Sequence, residues 1–154
     1  MRTFLNGYFR LASDIFIGHD AIVDKFLGDC TMAIFGAPIA RPDHPSQAVE
    51  AAVELQRGYR ELTAGQEQQV ALGIGINTGE ALVGNVGSEA VKDWTAIGDT
   101  VNVASRLQGL AKAGEVLMTA EVYRQVAELY PSLEGRALQL EGRQEPVVTY
   151  SLVP

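Results

Sequence analysis

The chain has 154 residues, 47% of them hydrophobic and 20% charged, with a formal net charge of −7. That length is one domain's worth and allows a buried core without staples. The single cysteine, Cys30, excludes an internal disulfide framework and makes a reducing, cytoplasmic compartment the expectation. The acidic balance works against a sequence-independent grip on nucleic acid or an anionic membrane. With no signal-peptide pattern and no apolar run near the ~18–20 residues of a membrane span, no direct membrane contact is expected.

In chain order, residues 1–18 carry Phe4, Leu5, Tyr8, Leu11, Ile15 and Phe16 at the spacing of one helix face. Two β-prone runs, 22–26 and 31–35, flank Gly28-Asp29 and predict a hairpin. Pro38, Pro42 and Pro45 make 36–45 a loop that feeds a helix. The apolar face of that helix is Ala48, Ala52, Leu55, Tyr59 and Leu62. Val70, Leu72, Ile74 and Ile76 then alternate with Ala71, Gly73, Gly75 and Asn77, predicting a strand over 70–77 with one large face and one very small one. Glycines on the small face imply close approach by another backbone or a ligand. Short strands follow over 81–86 and 94–97, then a helix over 100–111 with Val101, Ala104, Leu107 and Leu110 inward. A strand over 115–118, a helix capped by Thr119 and ending before Pro131, and two strands around Gly142 complete the chain. Without repeats or a linker, residues 1–154 read as one α/β domain.

Three groups of residues could carry chemistry. Lys25 and Asp29 flank the tip of the first hairpin. A carboxylate there can bind a hard divalent cation, and the lysine can donate to a ring nitrogen or a phosphate. Taken alone, Gly28-Asp29 is also ordinary turn chemistry. Thr95, Asn102 and Arg106 form the second group. The last two lie four residues apart on one helical face, where an amide and a guanidinium can bracket a ribose-phosphate, or can simply face solvent. Asp99 or Thr100 could cap that helix. The glycine-rich runs 73–79 and 84–87 match neither a phosphate loop nor a dinucleotide fingerprint, so close strand packing is the better reading. His19, His44 and Cys30 have no partner at metal-ligand spacing.

Taken together and in order, Asp24-Lys25-Phe26-Leu27-Gly28-Asp29, Met32-Ala33-Ile34-Phe35-Gly36-Ala37-Pro38, Gly75-Ile76-Asn77-Thr78-Gly79-Glu80 and the run from Trp94 to Leu107 (WTAIGDTVNVASRL) resemble the catalytic domain of class III nucleotide cyclases. The resemblance spans the chain from Leu5 through Tyr150. It implies a ferredoxin-like α+β fold, with helices packed on a mixed, mainly antiparallel sheet. It also implies conversion of a nucleoside triphosphate to a 3′,5′-cyclic monophosphate and pyrophosphate, with Mg²⁺ or Mn²⁺, in head-to-tail dimers whose sites lie between the subunits.

By the same resemblance, Asp29 of one subunit binds metal, while Lys25, Thr95, Asn102 and Arg106 of the other face the nucleotide. Lys25 would donate to adenine N1 and Thr95 would accept from the N6 amine, which makes ATP the expected substrate. Asn102 would orient the ribose, and Arg106 would stabilise charge on the α-phosphate in the transition state. The family's sites use two divalent ions and two aspartates. The first aspartate lies on an opening strand that this sequence lacks, which points to a longer parent with upstream regulatory domains. Asp24 cannot simply substitute for it, because it neighbours Lys25 on a strand and points to the opposite face. Near Gly142, Arg143 stands where some members carry a phosphate-binding lysine. The rival expectation is a catalytically incomplete module that binds nucleotide or dimerises in a regulatory role. An RNA-binding domain of similar shape fits poorly with 7% aromatic residues and an acidic surface.

Overall fold

The computed structural model describes residues 2–27, 30–67, 70–87 and 92–154. The first apolar helix face becomes α1 (Arg2–Gly18), which runs into the hairpin β1 (Ile22–Leu27) and β2 (Cys30–Ile34). The prolines of 36–45 end in α2 (His44–Thr63), with Pro45 in its first turn, where its missing N–H costs nothing. The two helices pack through Tyr8, Ala12, Ile15, Ala51, Leu55 and Tyr59. Edge-to-face contacts between Tyr8 and Tyr59 and between Phe16 and Phe35 bring the β2 end onto the same cluster.

The strand expected over 70–77 is shorter. Only β3 (Ile74–Ile76) joins a ladder. Side chains of α2 reach the preceding carbonyls: Tyr59 Oη donates to Val70 O at 2.5 Å, and Gln56 Nε2 to Leu72 O at 2.9 Å, which Gly114 N also reaches at 2.9 Å. Gln56, 1% exposed, also donates to Glu115 O at 3.3 Å. A buried amide thus finds its acceptors and holds the helix to the residues that lead into two strands.

Next come the hairpin β4 (Leu82–Gly87) and β5 (Lys92–Ile97), then α3 (Asp99–Leu110), β6 (Val116–Thr119), α4 (Ala120–Val126), β7 (Gly135–Leu138) and β8 (Val147–Leu152). The main sheet has the order β3-β6-β8-β7, parallel only between β3 and β6; β1-β2 and β4-β5 are separate antiparallel pairs. Among the described residues, β3 is paired on one side only. Every residue of β6 is buried. Val116 and Met118 face α2 and α4 through Val49, Val53 and Val122, while Leu117 faces α3 through Val103 and Leu107. This alternation makes β6 the spine between two layers of helix.

On α3 the inward face differs from expectation. Val103 and Leu107 are buried, whereas Leu110 is 49% exposed, because the chain leaves the helix there. Thr119 holds the N-cap position of α4 but makes no capping bond, and α4 ends well before Pro131. Among the described residues, no helix is long and apolar enough to cross a membrane.

One link between α1 and α2 is titratable. Both ring nitrogens of His19 face oxygens, Gln47 Oε1 at 2.7 Å and Glu54 Oε2 at 2.8 Å. Burial of the ring opposes its charge. The bonds to Gln47 and Glu54 and the charges of Glu54 and Glu50 outweigh that effect and hold the pKa above 6.5. A raised folded-state value means that the stabilisation is complete below the unfolded value of 6.5 and is lost as pH rises through the folded one. Melting curves for His19→Asn and the unmodified chain should therefore differ most in mildly acid buffer and converge in alkaline buffer.

Candidate active site

The helix that carries Asn102 and Arg106 is positioned by glycines. A Cβ on Gly75 would sit 2.4 Å from Ala104 O and from Gln108 N, and one on Gly73 would sit 2.9 Å from Ala111 O. The small face of the strand region thus receives the backbone of α3, which answers the choice between backbone and ligand left open by the sequence. At the other end of the helix, Gly98 precedes α3 with φ +136°, and Asn102 N donates to its carbonyl at 3.1 Å.

Neither Asp99 nor Thr100 caps α3 as expected, because both side chains have other partners. Thr100 Oγ1 donates to Glu80 O at 2.5 Å, and Asp99 accepts from Arg143. Asn77 completes the brace. Its amide donates to Thr100 O at 3.1 Å, and its carbonyl accepts from Thr119 Oγ1 at 2.9 Å. Its side chain therefore connects β6 to the first turn of α3. Gly79, with φ +153°, lets Thr100 come this close: a Cβ there would meet Thr100 Oγ1 at 2.8 Å. Asn77, Gly79 and Thr100 lie within the quoted motif segments, but their spacing alone gives no sign of this brace.

Asn102 is exposed on the outer face of α3 and Arg106 is half-buried. Arg106 lies against the β7–β8 turn, where a Cβ on Gly142 would be 3.4 Å from its Nη2. Gly142 has φ +81°, so this turn conformation favours glycine independently. The next residue, Arg143, pairs with Asp99 at the start of α3. The fold thus brings Arg106 and Arg143 to one end of the molecule, with Arg143 already committed to a carboxylate. Among the described residues, Arg106 forms no ion pair.

Thr95 on β5 is 2% exposed, and its hydroxyl donates to Asp24 on β1. No hydrogen bond among the described residues joins Thr95 to Asn102, Arg106 or Arg143. Between Val23, opposite Ala33, and Phe26, opposite Thr31, the register slips, so Asp24 and Lys25 together stand opposite Met32. This is a β-bulge, and strict alternation fails at one. Asp29 and the side chain of Lys25 lie outside the described residues. Among those described, no group of three or more His, Cys, Asp or Glu could hold a metal ion.

The folded arrangement, with β6 as its spine and a guanidinium-bearing α3 braced on β3, matches one class of protein. The whole chain, residues 1–154, fits the family described as adenylate and guanylate cyclase catalytic domain, and it belongs to that family. Adenylate cyclase 1 of Rhizobium meliloti (strain 1021) is 34% identical over 155 residues, which covers 97% of this chain and 23% of that protein. The chain spans about a quarter of the length of the curated relatives it matches. In structure it is similar to the adenylyl cyclase CyaB from P. aeruginosa, with TM-score 0.89, 31% identity and coverage of 99% of this chain and 82% of that one. It is also similar to the guanylyl cyclase Cya2, with TM-score 0.87, 31% identity and coverage of 97% and 78%. The expected cyclase fold is therefore present, and the relatives include cyclases of both nucleotides.

Proposed function

We propose that this domain makes 3′,5′-cyclic AMP from ATP, working as a head-to-tail homodimer with sites shared between subunits, for signalling inside the cell. The observation that carries this reading is the placement of Arg106. It is a permanently charged fork without a carboxylate partner among the described residues, one helical turn from Asn102 on a helix held rigidly by Gly75 and Asn77. In this reading Asn102 holds the ribose so that its 3′-oxygen faces the α-phosphorus. Arg106 donates to the α-phosphate oxygens as charge builds on them, which is chiefly what a protein can contribute to phosphoryl chemistry. Arg143 contributes to the triphosphate once it exchanges Asp99 for phosphate. Lys25 and the Thr95 region face the base.

Members of this family work with divalent metals. The described residues form no metal cage. Asp29 would hold Mg²⁺ or Mn²⁺, which would neutralise the triphosphate and activate the 3′-hydroxyl.

The test is product formation by the purified chain with ATP or GTP and Mg²⁺ or Mn²⁺, over a series of protein concentrations. Cyclic AMP should exceed cyclic GMP, rise faster than linearly with protein, and vanish in Asp29→Ala. Lys25-dependent binding of ATP with no cyclic product would favour the second reading, a nucleotide-binding or dimerising module.

A further inference from the structure

We propose that the carboxylate of Asp99 is a built-in competitor for the triphosphate: it occupies Arg143 until phosphate displaces it, and returns when pyrophosphate leaves. The inference deepens the reading above and rests on the role given there to Arg143.

Asp99, Asn102 and Arg106 stand at i, i+3 and i+7 on α3, so they share one face of the helix. The acid therefore sits on the face that carries the groups assigned to the ribose and the α-phosphate. The helix itself does not use this carboxylate. No side chain caps α3, and Asp99 accepts from Arg143 Nη2 instead. The turn around Gly142 delivers the guanidinium to it: Arg143 N donates to Leu140 O at 3.1 Å, and Gln139 Nε2 donates to Arg143 O at 2.6 Å.

The balance of charge at this end of the molecule points to an anion from outside. Arg106 lies against the same turn and forms no ion pair among the described residues. The buried Nε of Arg143 has no hydrogen-bond partner. One carboxylate thus serves two guanidiniums and leaves donors over. A polyphosphate brings more charge and more acceptor oxygens than a carboxylate, so it displaces Asp99 when it binds.

The exchange is easy because the pair is exposed. The side chain of Asp99 is 70% accessible and that of Arg143 35%, and ion pairs of this kind are weak. The same tether acts at the end of the cycle. As pyrophosphate lets go of Arg143, a carboxylate already held beside it re-forms the pair without diffusing to it.

The test is equilibrium titration of the full chain with inorganic tripolyphosphate, pyrophosphate, ATP and GTP. The variants are Asp99→Asn, Arg143→Ala, the two combined, and Glu141→Gln. Asp99→Asn keeps the shape and removes the charge. It should tighten all four ligands by about three- to fivefold, the upper part of what an exposed ion pair is worth. In the Arg143→Ala background the same change should make no difference. Glu141→Gln removes a like charge from the exposed residue before Gly142 and should leave binding within about twofold, since solvent and salt screen it. Equal or weaker binding in Asp99→Asn would overturn the proposal. So would the same gain in the Arg143→Ala background or in Glu141→Gln, which would make the effect general repulsion. Tripolyphosphate has no base, so a chain that prefers GTP would lose the ATP reading and leave this one intact. Tripolyphosphate binding untouched by Arg143→Ala would remove the phosphate role of Arg143, and this inference with it.

Discussion

Gly75→Ala should destabilise the domain by about 3 kcal/mol, the upper end of the range for overpacking, and lower its melting temperature by about 10 °C. The added methyl would sit 2.4 Å from two backbone atoms of α3, Ala104 O and Gln108 N, and 2.9 Å from Leu107 Cβ. No rotamer change relieves a clash with backbone, so α3 must lift from β3. Leu107, 0% exposed against Leu117, would then lose its packing. The same movement displaces Asn102 and Arg106, so nucleotide turnover should fall further than the loss of folded protein explains. Gly109→Ala is the matched control on the same helix. It has nothing within 4 Å of the new methyl and should be neutral or stabilising by up to about 1 kcal/mol through helix propensity. Calorimetry on the pair gives opposite signs if packing decides. Equal and small effects would mean that α3 does not rest on Gly75.

Arg106→Ala should lower kcat by about 10²–10³ while changing the melting temperature little, as expected when a donor to the developing charge is removed. The guanidinium is half-buried against the Gly142 turn and forms no ion pair among the described residues, so truncation leaves no orphaned carboxylate behind. Arg106→Lys should recover only part of the rate, since it keeps the charge and loses the planar fork. ATP affinity should change by only a few-fold, because the interaction strengthens in the transition state. A loss confined to KM would instead make Arg106 a ground-state phosphate contact. Arg143→Ala should cost less, because Arg143 must first leave Asp99.

Much of the architecture was legible in the chain. Helices at 2–18 and 44–63 followed from their apolar periodicity, and the hairpin around 28–29 from its turn residues. The alternation over 70–77 predicts a longer strand than the structure has, because alternation marks the buried face and not the partners of the backbone: Val70 O accepts from Tyr59, and Leu72 O is shared by Gln56 and Gly114 N. Periodicity places Leu110 inward, yet the helix ends there and leaves it 49% exposed.

For the site, the sequence alone determined which residue types stand in which order: a lysine and an aspartate on a hairpin, and an amide and a guanidinium four apart on a helix. Those are local facts, set by spacing along one element. Only the tertiary structure decided that Arg143 is paired with Asp99, that α3 lies on bare glycine backbone, and that Thr95 is buried behind Asp24. Each of these joins residues from different elements, and the Asp24 contact passes through a bulge that shifts the register by one. Composition and periodicity carry no signal for such a shift, because it is fixed by how two strands meet.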